Sequence, residues 1–239
     1  MGTRRVVVVE ESAGALRATA ARTVSPGGRV VAGRESDLGV GADPEDRRVS
    51  RVAVEVVCMP DGWSVAPENR NGVVVHPWAL PAWRARPGEV LADARVALRV
   101  LGAAGARHWV LLEDDSRLDP ALPAAGAGSL WTEVDTPARA LTAPQTEVLG
   151  VLFADLLAWP PVVGGEPRQL KQVARAVGVS LSGVQARLVE VRAKAARLGL
   201  AREVPLTDPE YVYVLVRAGY LSPTRDLVQR YETPAPQGN

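Results

Sequence analysis

The sequence predicts a two-domain β + α protein, with an N-terminal antiparallel β-sandwich followed by a mainly helical C-terminal domain. Three observations carry that expectation. Short valine-rich runs separated by Gly, Pro and Asn turns fill residues 1–112, apolar residues recur at helical spacing after residue 140, and an acidic, Ala/Gly/Pro-rich stretch at 113–138 divides the two. Period-two hydrophobicity bounded by turn residues marks strands, and a change to a period of 3.6 marks helices.

In the first part, Val6–Val9 is a continuous apolar run, as expected of a strand buried on both faces. Val52, Val54 and Val56 fall on one face of a second strand. Val96, Leu98 and Val100 alternate with Arg95 and Arg99 in a third. The turns lie at Pro26-Gly27-Gly28, Asp61-Gly62, Asn71-Gly72 and Pro87-Gly88. Residues 113–135 carry one basic and six acidic side chains and run into Ala121–Gly128. Helix breakers and one dominant charge sign predict a linker there.

In the second part, Thr142-Ala143-Pro144 starts a helix whose inner face is Val148, Leu149, Leu152, Phe153 and Leu156, stopped by Trp159-Pro160-Pro161. A second helix is expected over 167–177, with Gly178 as a left-handed C-cap. Ser180 caps a third, along which Val184, Leu188, Val191, Ala195 and Leu198 form a narrow seam that serves either the internal core or a homodimer. Thr207-Asp208-Pro209-Glu210 opens a last element, and Tyr211–Val216 fits either a helix or a strand. The helical domain is expected to span 139–232, with a disordered tail at 233–239.

Composition narrows the function. The 239 residues are 47% hydrophobic and 23% charged, enough for a real core. The net charge is +1, and Cys58 is the sole cysteine, so no intrachain disulfide framework and no cysteine-rich zinc site exists. His76 and His108 are the whole histidine supply, too little for a multi-histidine metal site. His108 reads as structural and His76 as a surface residue near the rim of the first domain. Trp63, Trp78, Trp83 and Trp109 read as core or loop packing. Asp114, Asp115 and Asp119 read as a solvated linker rather than metal ligands. The N-terminal apolar run is too short for a signal peptide and no stretch is long enough to span a bilayer, so the expected location is the cytoplasm. There is no P-loop, dinucleotide glycine fingerprint or nucleophile elbow, so neither an enzyme nor a cofactor is expected.

Gly33-Arg34, then Val49-Ser50-Arg51, then Asn69-Arg70-Asn71-Gly72 resemble, in that order and spacing, the forkhead-associated (FHA) domain. The likeness covers residues 1–112. It implies a β-sandwich whose loops at one end bind phosphothreonine peptides, with Arg34 and the Ser50 hydroxyl on the phosphate, Arg51 beside it and Asn71 on the peptide backbone. A phosphothreonine offers about −1.5 to −2 charges and three acceptor oxygens, which suits guanidinium forks. The sequence departs from the family at Ala53, where a bracing histidine is usual, at Arg70, which stands where a small hydroxyl residue is usual, and at Val73. Arg70 either adds a phosphate donor or obstructs the pocket.

Leu170 to Ser180 followed by Val184 looks like a helix-turn-helix, with Ala174 at the helix crossing, Gly178 in the turn, and Val179 and Val184 filling the angle. The likeness extends over 140–220 to winged helix-turn-helix domains of bacterial regulators. Residues 166–202 carry eight basic and two acidic side chains, an electrostatic footprint suited to double-stranded DNA. On that reading Ser182, Gln185 and Arg187 face base edges, while Arg168, Lys171, Arg192 and Lys194 contact phosphates. The combined expectation is a bacterial, actinobacterial-type transcriptional regulator that answers Ser/Thr kinase signalling. The alternative is a scaffold whose two domains both bind proteins.

Overall fold

The computed structural model describes residues 3–12, 15–42, 45–104, 106–117 and 140–229. The chain divides into two compact units, Met1–Leu118 with Leu227–Asn239, and Asp119–Asp226.

The first unit is built from β1 (Arg4–Ser12), β2 (Ala15–Thr23), β3 (Arg29–Gly33), β4 (Leu38–Gly39), β5 (Val54–Met59), β6 (Gly62–Pro67), β7 (Val73–Pro77), β8 (Trp83–Arg84), β9 (Glu89–Leu91), β10 (Arg95–Val100) and β11 (His108–Asp114). One sheet runs β4-β3-β5-β6-β9. The other runs β2-β1-β11-β10-β7-β8 and gains a strand on β2 from the end of the chain. Apart from β3–β4 and that added strand, the pairings are antiparallel.

Alternation sorts the side chains. Val6, Val8, Val96, Leu98, Val110 and Leu112 from one sheet meet Val30, Val54, Val56, Cys58, Trp63 and Val65 from the other in a single apolar layer. Burying each of these valines and leucines contributes about 1.5–3 kcal/mol. The Val6–Val9 run is at most 3% exposed throughout, so the middle of β1 is buried on both faces. The second predicted strand starts two residues later than its valine pattern suggests. Val52 is 43% exposed in a bend, and the inward positions of β5 are Val54, Val56 and Cys58.

The predicted linker also starts too early. Glu113 and Asp114 close β11 and are 1% exposed, and Asp115–Arg117 forms a 3₁₀ turn. The cause is cross-strand pairing, because Arg4 lies opposite Asp114 and Arg5 opposite Glu113. Arg4 Nε sits 2.8 Å from the Asp114 carboxylate, and Arg5 lies 3.4 Å from Glu113 and 3.1 Å from Asp115. A run of acids that looks solvated in the sequence is thus neutralised by a strand 110 residues away. Residues 118–138 of the expected linker and the expected tail at 233–239 lie outside the described residues.

In the second unit, α1 (Ala143–Leu152) buries Val148, Leu149 and Leu152. It stops well before Trp159, which lies in the short strand β12 (Ala158–Trp159). The second helix, α2 (Leu170–Val177), begins three residues later than expected and ends at Gly178 in the left-handed conformation, φ 71°. α3 (Leu181–Arg197) is capped by Ser180, whose Oγ accepts from Gly183 N–H at 3.1 Å. Val184, Leu188, Val191 and Ala195 of its seam are fully buried. Tyr211–Val216 is helical, inside α4 (Glu210–Arg217), and Asp208 accepts from the Glu210 N–H at 2.8 Å. β13 (Arg225–Asp226) pairs with β12 in parallel, the only sheet among the described residues of this unit. No antiparallel wing hairpin follows α3 in the described residues. The helical domain also ends earlier than predicted, because β14 (Val228–Gln229) pairs with β2 in the first unit. No helix among the described residues is long and apolar enough to cross a membrane.

Candidate functional site

The end of β3, the start of β5, the β6–β7 turn and the β10–β11 loop converge at one end of the sandwich, as the antiparallel registers require. Gly33 permits the closest approach there. A Cβ on it would lie 2.3 Å from Arg51 O and 2.7 Å from Ala53 N. Gly72 has φ +102° and closes the turn that presents Asn71.

Four of the five residues expected to hold a phosphopeptide are joined across these loops. The Arg34 N–H donates to Ser50 O at 3.1 Å, and Arg34 Nε donates to Val49 O at 3.3 Å. Ser50 Oγ accepts from the Arg70 N–H at 3.1 Å, and Asn71 Nδ2 donates to Arg48 O at 2.7 Å. Arg51 stands at the edge, 75% exposed, with its Nε 3.3 Å from Glu35. The Arg34 guanidinium is 19% exposed and is already held by Glu45, with Glu35 at 3.6 Å.

The residue missed in the sequence is Asn69, 6% exposed. Its Oδ1 accepts from the Ser50 N–H at 3.0 Å, and its Nδ2 donates to Gly72 O at 2.9 Å and Leu101 O at 2.8 Å. One amide therefore fastens three loops. Ala53, in place of the usual histidine, is fully buried and contributes only its backbone, its carbonyl accepting from Glu68 N–H and Asn69 N–H. An Asn two residues before an Asn-Gly turn was the available signal.

A second fastening lies behind the 41–49 loop. His108 Nδ1 bonds Glu10, and Nε2 meets Asp46 Oδ2 at 3.0 Å. Asp46 also accepts from Ala103 N–H at 2.7 Å and Arg48 N–H at 2.9 Å, and Glu10 accepts from Gly41 N–H at 2.7 Å. Burial opposes charge on His108, but hydrogen bonds to both carboxylates outweigh it and raise its pKa. Burial likewise pushes Asp46 up, and the bonds from Ala103, His108 and Arg48 carry it below the ordinary value. His76 does not rim the site. It packs edge-on against Trp109 with centroids 5.2 Å apart, and burial followed by the nearby Arg99 charge pushes it down to about 4.

In the second unit, Ser182, Gln185 and Ala186 are exposed near the start of α3 and Arg187 is half-buried. Ser182 Oγ lies 3.0 Å from Ser180 Oγ. Arg168 and Lys171 are exposed before and at the start of α2. Arg192 and Lys194 are committed internally. Arg192 pairs with Glu203 at 2.8 Å and donates to Val204 O at 2.7 Å. Lys194 Nζ donates to Ala140 O at 2.9 Å and to Gln145 Oε1 at 2.8 Å. Gln145, 4% exposed, donates through its Nε2 to Glu190 Oε2 at 2.8 Å. Leu181 and Val189 are exposed on α3.

No protein-family model and no curated protein matches the sequence. Among solved structures the chain is similar to the crystal structure of Mycobacterium tuberculosis Rv1747 FHA-1, at 16% identity over 45% of this chain and 97% of that one, with a TM-score of 0.28. It is also similar to a chain from a structural and functional analysis of phosphothreonine-dependent FHA domain interactions, at 17% identity over 45% and 94% of the two chains, with a TM-score of 0.28.

Proposed function

We propose that the first unit is an FHA-type module that binds phosphothreonine peptides at the loop end formed by Arg34, Ser50, Arg51, Arg70 and Asn71. The observation that carries this reading is the hydrogen-bonded joining of Arg34, Ser50, Arg70 and Asn71 across three loops. Guanidinium, hydroxyl and carboxamide groups are thereby gathered at one solvent-facing rim. Such a set offers charge-assisted donors to a phosphate and an amide to a peptide backbone. The test is capture of a degenerate peptide pool with phosphothreonine at one fixed position, against the same pool with threonine. The full chain retains the phosphorylated pool selectively, and Arg34→Ala lowers that retention about tenfold or more, since each charge-assisted bond is worth about 1.5–3 kcal/mol. Equal retention of the two pools refutes the reading.

For the second unit we propose a helix-turn-helix that contacts duplex DNA through Arg168, Lys171, Ser182, Gln185 and Arg187, coupling phosphopeptide docking to transcription. Arg192 and Lys194 support the fold on this reading. Binding to a duplex should weaken steeply with salt. A second reading is favoured by the exposed Leu181 and Val189 on α3, which suit a protein surface better than a phosphate backbone. It makes this unit a protein-binding module within a scaffold, and absence of duplex binding at low salt selects it.

A further inference from the structure

The arginines at the loop end fall into two groups. Arg47, Arg34 and Arg51 alternate with Glu45 and Glu35: Arg47 lies 3.7 Å from Glu45, Glu45 holds Arg34, and Glu35 stands 3.6 Å from Arg34 and 3.3 Å from Arg51. These cations are largely balanced by their own chain. Arg48, Arg70 and Arg84 are exposed, and among the described residues none of the three has a carboxylate partner.

The Arg84 guanidinium and the backbones of Arg48 and Arg70 lie next to Asn71. The Arg48 carbonyl accepts the Asn71 side-chain amide, Arg70 is its chain neighbour, and Arg84 Nη2 lies 3.4 Å from Asn71 O. Arg84 is also fitted to the turn. A Cβ at Gly72 would come 2.7 Å from Arg84 Nη2 and 2.9 Å from Cζ, so the guanidinium lies directly over this turn. A planar cation laid on a fixed turn loses little freedom when it meets an anion, which favours binding.

We infer that Arg84, with Arg48 and Arg70, forms a second anion subsite beside Asn71, and that the ligand carries a second acidic group flanking its phosphothreonine. The inference rests on the phosphopeptide reading of the rim and names the ligand class more closely. A peptide aligned by Asn71 passes these three cations after its phosphate has met the Arg34–Ser50 end. The shared chemistry is an anion, supplied either by a carboxylate side chain or by a second phosphate.

The test uses phosphothreonine pools in which one flanking position at a time is fixed as glutamate, phosphothreonine or glutamine. The wild-type full chain should retain an acidic pool about three- to tenfold better than the glutamine pool at one or more flanking positions. Arg84→Gln, and separately Arg48→Gln, should cut that preference to twofold or less. Both variants should leave retention of the glutamine pool within about twofold. Preference for glutamate and phosphate alike, or for phosphate alone, supports the subsite and distinguishes the two sources. No acidic preference in the wild type, or equal fractional loss on acidic and glutamine pools in the variants, overturns the subsite while the phosphopeptide reading stands. Failure of the wild type to separate the phosphothreonine pool from its threonine counterpart overturns both.

Discussion

Replacing Asn69 with alanine removes three hydrogen bonds and leaves the Ser50 loop joined to the Asn71 turn through the Arg70 N–H to Ser50 Oγ and Asn71 Nδ2 to Arg48 O bonds. The Ser50 N–H and the Leu101 C=O lose their partner, whereas Gly72 O keeps the bond it accepts from Leu101 N–H at 3.1 Å. Two unsatisfied backbone groups at about 1–3 kcal/mol each give about 2–6 kcal/mol. Ser50 and Leu101 are half-buried, so water recovers part of that and the expected loss is about 2–3 kcal/mol. Asn69→Asp is the informative companion, because it keeps an acceptor for Ser50 but turns both donated bonds into oxygen–oxygen contacts. The assay is urea unfolding followed by NMR at core amides such as Val54, with Ser50 amide exchange as the local reporter. Both variants should shift the midpoint downward, but only alanine should leave the Ser50 amide fast-exchanging. Phosphothreonine-pool retention should fall in both, since both lose the bonds to Gly72 O and Leu101 O that brace the loops presenting Ser50 and Asn71. A loss below about 0.5 kcal/mol with unchanged Ser50 exchange would refute the assignment of Asn69 as the loop fastener.

The remaining expectations concern charge and close packing. His108 has a folded pKa above its ordinary value, so its contribution is complete below about pH 6.5 and disappears as pH rises through the folded value. Stability of the first unit should therefore fall on the alkaline side in the wild type, and urea midpoints of His108→Gln should be flatter across that range; parallel curves would dismiss the network. Asp46 works in the opposite direction, contributing above its ordinary value and losing that contribution as pH drops through its lowered folded value, which an acid titration of Asp46→Asn should expose by difference. Gly33→Ala should cost about 3 kcal/mol or more by thermal unfolding, because its methyl would overlap the Arg51 carbonyl. Lys194→Met should destabilise the second unit by about 1–2 kcal/mol, whereas Lys171→Ala should leave stability alone and lower the salt dependence of duplex binding by about one phosphate contact.

What the sequence by itself determined was periodicity and punctuation. Alternating valines located β5 and β10, the apolar seam located α3, and Gly178 with Ser180 located the turn before it, because each depends on residues within a few positions of one another. The Gly-Arg, Ser-Arg and Asn-Gly pairs lie on separate loops, and only their resemblance to the FHA domain implied a common rim. Tertiary structure alone decided the partners. Glu113 and Asp114 became part of a buried strand because β1 brings Arg4 and Arg5 against them. Lys194 and Arg192 turned inward because Gln145 and Glu203 lie within reach. Asn69 acquired its role because three loops distant in sequence meet at its amide. Hydrophobic pattern is a local property of the chain, whereas the fate of a charge or an amide depends on which distant group the fold sets beside it.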